Sequence, residues 1–444
     1  MNLGDLHIIT YDMRGTIVHT GQPKPCRQTG LVVHTHQLLA GLALRTPQAR
    51  VAVTQTGGRR SNAYRLETPE GLTVLAQGVD TSFRDCLAPA AGVGKDPALV
   101  RRFYEEEIDN RANPVYASLA RQYGEVIAAA GSANLLLQNI NPIVGVLKAE
   151  QHGHLDALRL GPLNLTCVVH DLADAPHRFE YLRRRMALSG HRIHLVAVSG
   201  AVRHRLLEAG LPADRITTVP NGLDVAGFRD RLATARSTRV FDAVRARNHL
   251  PPGRIVLVSA RRVLWKGHLD VLDAVAALRA DGALQDAVVV FNGHNLTDTR
   301  EAGYQELLAR RISELGLRGR VFLLDDLDPL EVASCYEAAH IAVLPSREPE
   351  AFGYANIEAM LAGVPVITTA HGAPLDYIED GRSGVLVPPS DPAAIAAALR
   401  VLLTDAPTHA CIGAAGRVSA QQFTVESMID GYLSVIASLQ AGEA

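Results

Sequence analysis

The stretch Glu350-Ala-Phe-Gly-Tyr-Ala-Asn-Ile-Glu358 lies between two apolar runs, Ile341–Leu344 and Val364–Thr368, and decides the fold of the region around it. Each run has the length and composition of a buried strand. Between them we predict a helix that begins near Gly353 and ends at Gly363, because glycine commonly terminates helices and the proline two residues later cannot continue one. A strand, a loop, a helix and a second strand in this order are typical of a parallel α/β sheet.

The two carboxylates of this stretch flank the predicted start of the helix. Glu350 lies in the loop before it, and Glu358 lies about a turn and a half into it. The N–H groups of Phe352, Gly353 and Tyr354 would have no intrahelical acceptor, which makes the helix start an anion-binding site. Acidic side chains beside an anion site suit a ligand that carries both hydroxyl and phosphate groups, such as a nucleotide sugar.

Size and charge limit the possible classes of protein. A chain of 444 residues with 47% apolar residues can form two or three domains. No apolar run approaches the roughly 18 residues that span a bilayer, and Met1–Leu6 lacks the pattern of a signal peptide, so we expect a cytoplasmic protein. The net charge of −2 argues against a nucleic-acid binder that works through bulk charge. Association with a membrane surface and assembly into a homodimer stay open.

The cysteines and histidines do not form a metal-binding pattern. The five cysteines are scattered, without a Cys-x-x-Cys pair, at Cys26, Cys86, Cys167, Cys335 and Cys411. This fits free thiols in a reducing compartment better than a disulfide framework or a zinc site. The 17 histidines form no spaced cluster, and no Asp-x-Asp motif has the strand-and-loop context that holds a divalent cation. We therefore expect no metal and no cofactor.

Short apolar runs alternate with helical patterns along the chain, which indicates parallel sheets covered on both faces. The first series of predicted strands is His7–Thr10, Val51–Thr54, Leu72–Leu75, Leu135–Leu137, Leu165–Val169 and Leu195–Val198. The second series is Ile255–Ser259, Ala287–Phe291, Val321–Leu324, Ile341–Leu344, Val364–Thr368 and Val385–Val387. Two series imply two doubly wound, Rossmann-like domains.

We place the first domain at residues 1–240, the second at 241–422 and a final helical segment at 423–444. The boundary follows the turn-rich Val219–Asp224 and lies in a charged, helix-prone connector. Residues 80–124 interrupt the first domain with helical spacing, many charges and no clear strand. We interpret them as a helical insertion that either covers a sheet edge or forms part of an acceptor-binding or partner-binding surface.

The loop after the first strand of the second domain contains two basic residues, Arg261 and Lys266. Ligands of doubly wound folds bind at the carboxyl ends of strands, so both cations lie where a ligand is expected. An arginine fork and a lysine point charge suit the negative charge that develops on a departing nucleoside diphosphate. Arg262 is an additional basic residue, and the sequence allows it to be a surface residue because adjacent side chains point in different directions.

These motifs, in this order, resemble those of retaining glycosyltransferases of the GT-B fold, family 4 in particular (glycosyl transferases group 1). Glu350 and Glu358 match the Glu-x7-Glu motif, and Arg261 and Lys266 match an Arg-x4-Lys-Gly diphosphate clamp. The resemblance covers nearly all of residues 250–440 and the first domain more loosely. It implies an α/β fold of two Rossmann-like domains that face each other across a cleft, with the C-terminal helix crossing back to the first domain.

The resemblance also implies roles for individual residues. Glu350 and His170 would contact the transferred sugar, and Glu358 would accept hydrogen bonds from ribose hydroxyls. The implied catalytic residues are Glu350, His170, Arg261 and Lys266. The implied donor-binding residues are Gly30, Arg261, Lys266, Leu324, Phe352, Gly353, Tyr354 and Glu358, with the nucleobase against Phe322–Asp325. The glycine loop of the family is changed here, because Thr29 stands in place of its first glycine.

The acceptor side of the predicted site lies in the first domain. Its candidate residues are Asn139, Asn141, Asp171 and His34. The two asparagines follow a strand and either recognise hydroxyl or amine groups or shape the turn before Pro142. Asp171 either orients the ring of His170 or caps the next helix.

The resemblance implies a retaining, metal-independent hexosyltransferase that uses a nucleoside diphosphate sugar, with a UDP-sugar favoured. The preferred acceptor is a small hydroxylated molecule such as a sugar, cyclitol or aminocyclitol. Two alternatives stay open. One is a lipid or polysaccharide glycosyltransferase of the same family, and the other is a non-catalytic module that only binds a nucleotide sugar.

Overall fold

The chain divides into two compact units, the first comprising Met1–Gly222 and Val425–Ala444 and the second Leu223–Thr424. The computed structural model describes residues 5–10, 30–46, 49–56, 64–67, 73–79, 107–156, 158, 160–172, 176–284, 286–293, 303–325 and 327–442. Residues 223–240, which the sequence assigned to the first domain, belong to the second unit because Val225 and Phe228 are part of its apolar core. Thr29 and most of the predicted insertion, residues 80–106, lie outside the described residues.

The first unit contains an eight-stranded sheet with the order β3-β4-β2-β1-β5-β6-β7-β8 among the described residues. Its strands are β1 (Asp5–Thr10), β2 (Arg50–Thr56), β3 (Tyr64–Glu67), β4 (Thr73–Val79), β5 (Asn134–Gln138), β6 (Asn164–Val169), β7 (Arg192–Ala197) and β8 (Ile216–Thr218). Its helices up to Gly222 are α1 (Gly30–Arg45), α2 (Pro114–Ala130), α3 (Ile140–Gln151), α4 (Pro176–Leu188) and α5 (Gly200–Glu208). All neighbouring strands are parallel except β3 and β4, which are antiparallel.

The central strands of this sheet are the apolar runs that the sequence indicated. Leu135, Leu165 and Leu195 are each exposed by 1% or less, as expected for a sheet that helices cover on both faces. The two strands that the sequence did not predict, β3 and β8, lie at the edges of the sheet and are short. Edge strands are buried less and carry a weaker apolar signal.

The second unit contains a six-stranded parallel sheet with the order β11-β10-β9-β12-β13-β14. Its strands are β9 (Ile255–Ser259), β10 (Val288–Asn292), β11 (Val321–Leu324), β12 (Ala339–Leu344), β13 (Val366–Thr369) and β14 (Val385–Val387). Its helices are α6 (Val225–Ser237), α7 (Val240–Arg247), α8 (His268–Ala280), α9 (Tyr304–Glu314), α10 (Pro329–Ala338), α11 (Tyr354–Ala362), α12 (Pro374–Tyr377), α13 (Pro392–Thr404) and α14 (Ala406–Ala420). The prediction of two doubly wound α/β units is confirmed.

The strand order of the second unit reverses between β9 and β12, which are neighbours in the sheet but not in the chain. Ligands of such sheets bind outside the carboxyl ends of the strands at this point. The loops that follow β9 and β12 therefore lie side by side where a ligand is expected. They contain Lys266 and Glu350, respectively.

The last helix, α15 (Val425–Ala441), belongs to the first unit and packs against α1. The contact requires a glycine on α1, because a Cβ atom on Gly41 would lie 2.5 Å from Cγ1 of Ile429 and 2.7 Å from Cγ1 of Val425. Tyr432 and Ile436, on the same helix, are also buried.

Among the described residues, no single helix is long and apolar enough to cross a bilayer. The pair formed by α13 and α14 meets the length and composition criteria only jointly, and it is bent by 104° at Asp405.

Candidate active site

The loops after β9 and β12 are joined by an ion pair. Nζ of Lys266 donates to Oε1 of Glu350, and the hydroxyl of Ser346 donates to the same oxygen. The two charged side chains are mostly buried, at 16% and 15% exposed. The sequence placed these residues 84 positions apart in one site, and the structure brings them into direct contact.

Two of the cations in the β9 loop, Arg261 and Lys266, lie over Trp265, the single tryptophan of the chain. Nζ of Lys266 is 4.0 Å from the ring centroid, and Cζ of Arg261 is 5.7 Å from it. An indole face attracts cations, so Trp265 holds the two positive charges near each other. The indole is consequently a natural optical probe of anything that binds these cations.

A second ion pair fixes the position of the β12 loop. The guanidinium of Arg347 forms a fork with the buried carboxylate of Asp270 on α8, with both N–O distances 2.7 Å. The backbone N–H of Arg347 also donates to the carbonyl of Trp265 at 2.6 Å. Arg347 therefore ties the β12 loop both to α8 and to the β9 loop.

Two glycines allow the loops to approach this closely. Gly267 has φ +74°, and a Cβ atom there would lie 2.0 Å from the carbonyl oxygen of Pro345. Gly372 has φ +69°, and a Cβ atom there would lie 2.5 Å from the carbonyl oxygen of Glu350, which accepts from the N–H of Ala373 at 2.8 Å. Any side chain at either position would displace the backbone that presents Lys266 or Glu350.

Helix α11 begins and ends as predicted. Gly353 precedes it with φ +83°, and Gly363 follows it with φ +78°. The carbonyl of Phe352 accepts from the hydroxyl of Tyr377 at 2.9 Å, and that hydroxyl accepts from the amide of Asn356 at 2.9 Å. The first turn of α11 is thus held at a defined angle.

Glu358 lies on α11 next to the buried Tyr336 of α10. The Tyr336 hydroxyl donates to Oε2 of Glu358 at 2.8 Å. Burial raises the pKa of Glu358, while the Tyr336 hydrogen bond and the charge of Arg231 on α6 oppose that rise. A carboxylate with one oxygen engaged by a fixed donor can offer its other oxygen to a ligand hydroxyl.

The end of β11, predicted to face a nucleobase, is organised by Arg262. The carbonyl of Leu324 accepts from Nη2 of Arg262. The suggestion that Arg262 is a surface residue is wrong, because its side chain is fully buried. The order of residues in a loop does not reveal the direction of their side chains, and the partners of Arg262 lie far away in sequence.

A polar cluster lies at the carboxyl ends of β5 and β6 in the first unit. Nε2 of His170 lies 2.6 Å from Oε1 of Gln138, and the ring of His34 packs edge-on against that of His170 at 4.6 Å. The hydroxyl of Tyr432 on α15 lies 3.4 Å from Nε2 of His34. Burial lowers the pKa of His34 to about 3 and the pKa of His170 well below its usual range, so both rings are neutral.

Two predicted acceptor-side residues have partners within this cluster. Oδ2 of Asp171 accepts from Nδ2 of Asn139 at 2.7 Å, and the ring of His170 is contacted by Gln138. His34, predicted to contact an acceptor, lies on α1 and is fully buried, with its ring against those of His170 and Tyr432.

The remaining predicted residues of the first unit take these positions. Asn139 has φ +82°, and its side-chain oxygen accepts from the N–H of Ile140 at the start of α3. The side-chain oxygen of Asn141 accepts from Nη1 of Arg178 at 3.3 Å. Gly30 is the first residue of α1. In the described parts of the chain, no group of three His, Cys, Asp or Glu side chains is arranged to hold a metal ion.

Sequence reasoning missed the residues that support the site from a distance. Gln138 could have been identified, because it directly follows a buried strand at the edge where ligands bind. Tyr336, Asp270 and Tyr432 lie on helices that the chain brings to the site from elsewhere, and each occupies an ordinary helical position. No local pattern distinguishes such residues from core residues.

Residues 241–419 match the family model "Glycosyl transferases group 1". The chain contains a group 1 domain. That domain coincides with most of the second unit and includes Arg261, Lys266, Glu350 and Glu358.

Several D-inositol 3-phosphate glycosyltransferases are similar to the chain over part of their length. The chain is 33% identical over 238 residues to D-inositol 3-phosphate glycosyltransferase 1 of Catenulispora acidiphila, which covers 52% of this chain and 54% of that protein. It is 31% identical over 266 residues to D-inositol 3-phosphate glycosyltransferase of Thermobifida fusca, with 59% and 58% covered. The aligned part therefore spans little more than half of these relatives.

Solved structures share the fold over nearly the whole chain. The structure of Anabaena HepE in complex with UDP and glucose has a TM-score of 0.68 at 17% identity and covers 98% of this chain and 99% of that one. An α,α-trehalose-phosphate synthase (UDP-forming) from Burkholderia vietnamiensis has a TM-score of 0.73 at 11% identity, with 99% and 98% covered. The chain has the GT-B fold.

Proposed function

We propose that the protein is a retaining glycosyltransferase that moves a hexosyl unit from a nucleoside diphosphate sugar, with a UDP-sugar favoured, to a small hydroxylated acceptor. The observation that carries this proposal is the contact of Lys266 with Glu350 beside the first turn of α11. A cation, a carboxylate and the leading amides of a helix together match the phosphate and hydroxyl groups of a nucleotide sugar.

Stabilisation of the leaving diphosphate is the first requirement of such a reaction. Cleavage of the bond between the anomeric carbon and the phosphate oxygen places negative charge on the diphosphate. Lys266 and Arg261, both against Trp265, and the N-terminal amides of α11 would share that charge. In this proposal these groups replace a divalent cation, so the reaction is metal-independent.

The two carboxylates would act on different parts of the donor. Glu358, with one oxygen held by Tyr336, would accept from ribose hydroxyls. Glu350 would contact a hydroxyl of the transferred sugar, and its charge would favour the oxocarbenium character of the ring in the transition state. The acceptor would attack from the face that the diphosphate leaves, with the leaving phosphate taking the acceptor proton, so the anomeric configuration is retained.

The choice of substrates has separate support. The choice of UDP as the nucleotide is supported by the similarity to HepE, whose structure contains UDP and glucose. A cyclitol acceptor is supported by the relatives named D-inositol 3-phosphate glycosyltransferases. Asn139, Asp171 and Asn141 form a polar edge in the first unit that suits hydroxyl groups.

A two-stage assay tests the proposal. The full chain is first screened by thermal shift against UDP-, GDP- and ADP-sugars, since a ligand at a hundred times its Kd adds about 2.7 kcal/mol to stability. Donors that bind are then incubated with inositol, inositol phosphates, aminocyclitols and hexoses, and the products are identified by mass. The variant Lys266→Met is the control for background hydrolysis. The proposal fails if no donor binds, or if donors bind but no acceptor in the panel gives a glycosylated product.

A further inference from the structure

Arg262 is a fully buried arginine (0% exposed) in the loop that follows β9. A guanidinium inside a protein is costly unless its donors are paired. Nη1 donates to Oε1 of Gln305 at 2.8 Å. Nη2 donates to the carbonyl of Leu324 and lies 2.8 Å from Oδ1 of Asp325.

These contacts join the carboxyl-side connections of three neighbouring strands. Arg262 follows β9, Gln305 lies in the first turn of α9 after β10, and Leu324 ends β11. Arg262 is therefore the side chain that links these connections on one side of the switch point. Lys266 and Arg347 link the connections of β9 and β12 on the other side.

The geometry at Asp325 distinguishes this cation from an ordinary core residue. The side chain of Asp325 is 53% exposed although Arg262 is completely buried. The buried Arg262 thus holds the Asp325 carboxylate in place, while the carboxylate stays accessible to a ligand from solvent. Such a carboxylate can accept hydrogen bonds from the N–H groups of a nucleobase.

From these contacts we infer that Arg262 is a positioning residue for the nucleobase of the donor. It holds Leu324 and Asp325 in the conformation that meets the edge of the base, and it does not touch the diphosphate. This inference rests on the proposed function, because it assumes that a nucleoside diphosphate binds to the second unit. Loss of Arg262 should therefore weaken the binding of ligands that carry a base and leave the binding of inorganic diphosphate unchanged.

The test compares UDP, GDP, ADP and inorganic diphosphate by calorimetry on the full chain, with Trp265 fluorescence as a second readout. Arg262→Met keeps an unbranched apolar chain and removes the guanidinium with its charge and donors, and Arg262→Lys keeps the charge with donors on a single nitrogen. Arg311→Met is the control, since Arg311 lies on α9, the helix that contains Gln305, and pairs with Asp273 at 2.8 Å. Asp325→Asn alters the partly exposed partner and provides a variant that keeps the buried arginine.

Arg262→Met removes charge-assisted hydrogen bonds, so its affinity for the preferred nucleoside diphosphate should be roughly 10- to 100-fold lower than that of the wild type. Inorganic diphosphate should change by less than about twofold, Arg262→Lys should recover part of the loss, and Arg311→Met should behave as wild type. If Arg262→Met does not fold, Asp325→Asn must show the same selective loss in smaller measure.

Two results for Arg262→Met overturn the inference while the proposed function stands. One is an equal loss of affinity for UDP and for inorganic diphosphate, and the other is no loss of affinity for either. If wild type binds none of the nucleoside diphosphates, the proposed function fails and the inference fails with it.

Discussion

Lys266 donates to Glu350 through Oε1, the same oxygen that accepts from Ser346. The pair neutralises two mostly buried charges. A diphosphate that approaches Lys266 would compete with Glu350 for the same ammonium group. Binding of the donor would then release one Glu350 oxygen at the place where the sugar must lie, so that donor binding and the placement of Glu350 are coupled.

The first prediction concerns this pair. Lys266→Met should lower kcat about 100-fold or more, because the cation stabilises charge that develops in the transition state. It should also lower stability, since Glu350 is left mostly buried without its partner. The double variant Lys266→Met/Glu350→Gln should regain stability but not activity. Thermal unfolding and steady-state kinetics measure the two effects.

The control for this experiment is Arg382→Met, which removes an exposed cation paired with Glu379. It should change neither quantity. The stabilising role of the ion pair is refuted if the double variant is no more stable than Lys266→Met, and the role of Lys266 in catalysis is refuted if Lys266→Met keeps near-normal turnover.

The second prediction separates the two carboxylates. Glu358→Gln should raise the donor KM more than it lowers kcat, because a ribose contact exists in the ground state and the transition state alike. Glu350→Gln should mainly lower kcat. Each change should amount to roughly 10- to 100-fold, the range for hydrogen bonds to a charged group. A calorimetric titration with UDP measures the difference directly, and the opposite pattern would reverse the assigned roles.

The third prediction concerns pH. Burial raises the pKa of Glu358, and the ribose contact requires the ionised carboxylate. Affinity for UDP should therefore be present above the raised pKa and should decrease as the pH falls through it, before an ordinary glutamate would titrate. Glu358→Gln should remove this component and leave only the titration of the phosphate. Calorimetry from pH 4.5 to pH 8 compares the two proteins, and parallel pH profiles would contradict the prediction.

The fourth prediction concerns stereochemistry. If the reaction proceeds on one face of the sugar, an α-linked donor should give an α-linked product. NMR of the first product formed, recorded before any equilibration, shows the configuration. A β-linked product would exclude the retaining mechanism and would leave the fold and the diphosphate site unaffected.

The sequence predicted those features of the fold that depend on local rules. The bounds of α11 followed from two glycines that adopt positive φ, and the central strands followed from their apolar runs. The position of Lys266 relative to Glu350 followed from the rule that parallel strands present their carboxyl ends at one edge. In each case a few adjacent residues contain enough information.

The missed features depend on contacts between distant parts of the chain. The burial of Arg262 depends on Gln305 and Leu324, which are 43 and 62 positions away. The packing of His34 against His170 joins α1 to the residue after β6, and Tyr432 of α15 lies against the same His34 ring. Neither contact leaves a periodic pattern in the sequence, so only the folded structure reveals it.

The last prediction concerns the stability of the first unit in acid. The unfolded chain protonates His34 near pH 6.5, whereas burial lowers the pKa of the folded residue to about 3. The folded state therefore binds fewer protons, so the contribution of neutral His34 to the free energy of unfolding is fully present above pH 6.5 and is lost as the pH falls toward 3.

The variant His34→Phe tests this prediction, because it retains a ring against Tyr432 and cannot titrate. It should reduce the slope of unfolding free energy against pH by up to about 1.4 kcal/mol per pH unit between pH 4 and 6. Burial also lowers the pKa of His170, so His170 should leave a residual slope in the His34→Phe variant. Urea unfolding at several pH values measures the slope, and an identical slope for His34→Phe and wild type would show that His34 does not stay neutral in the folded protein.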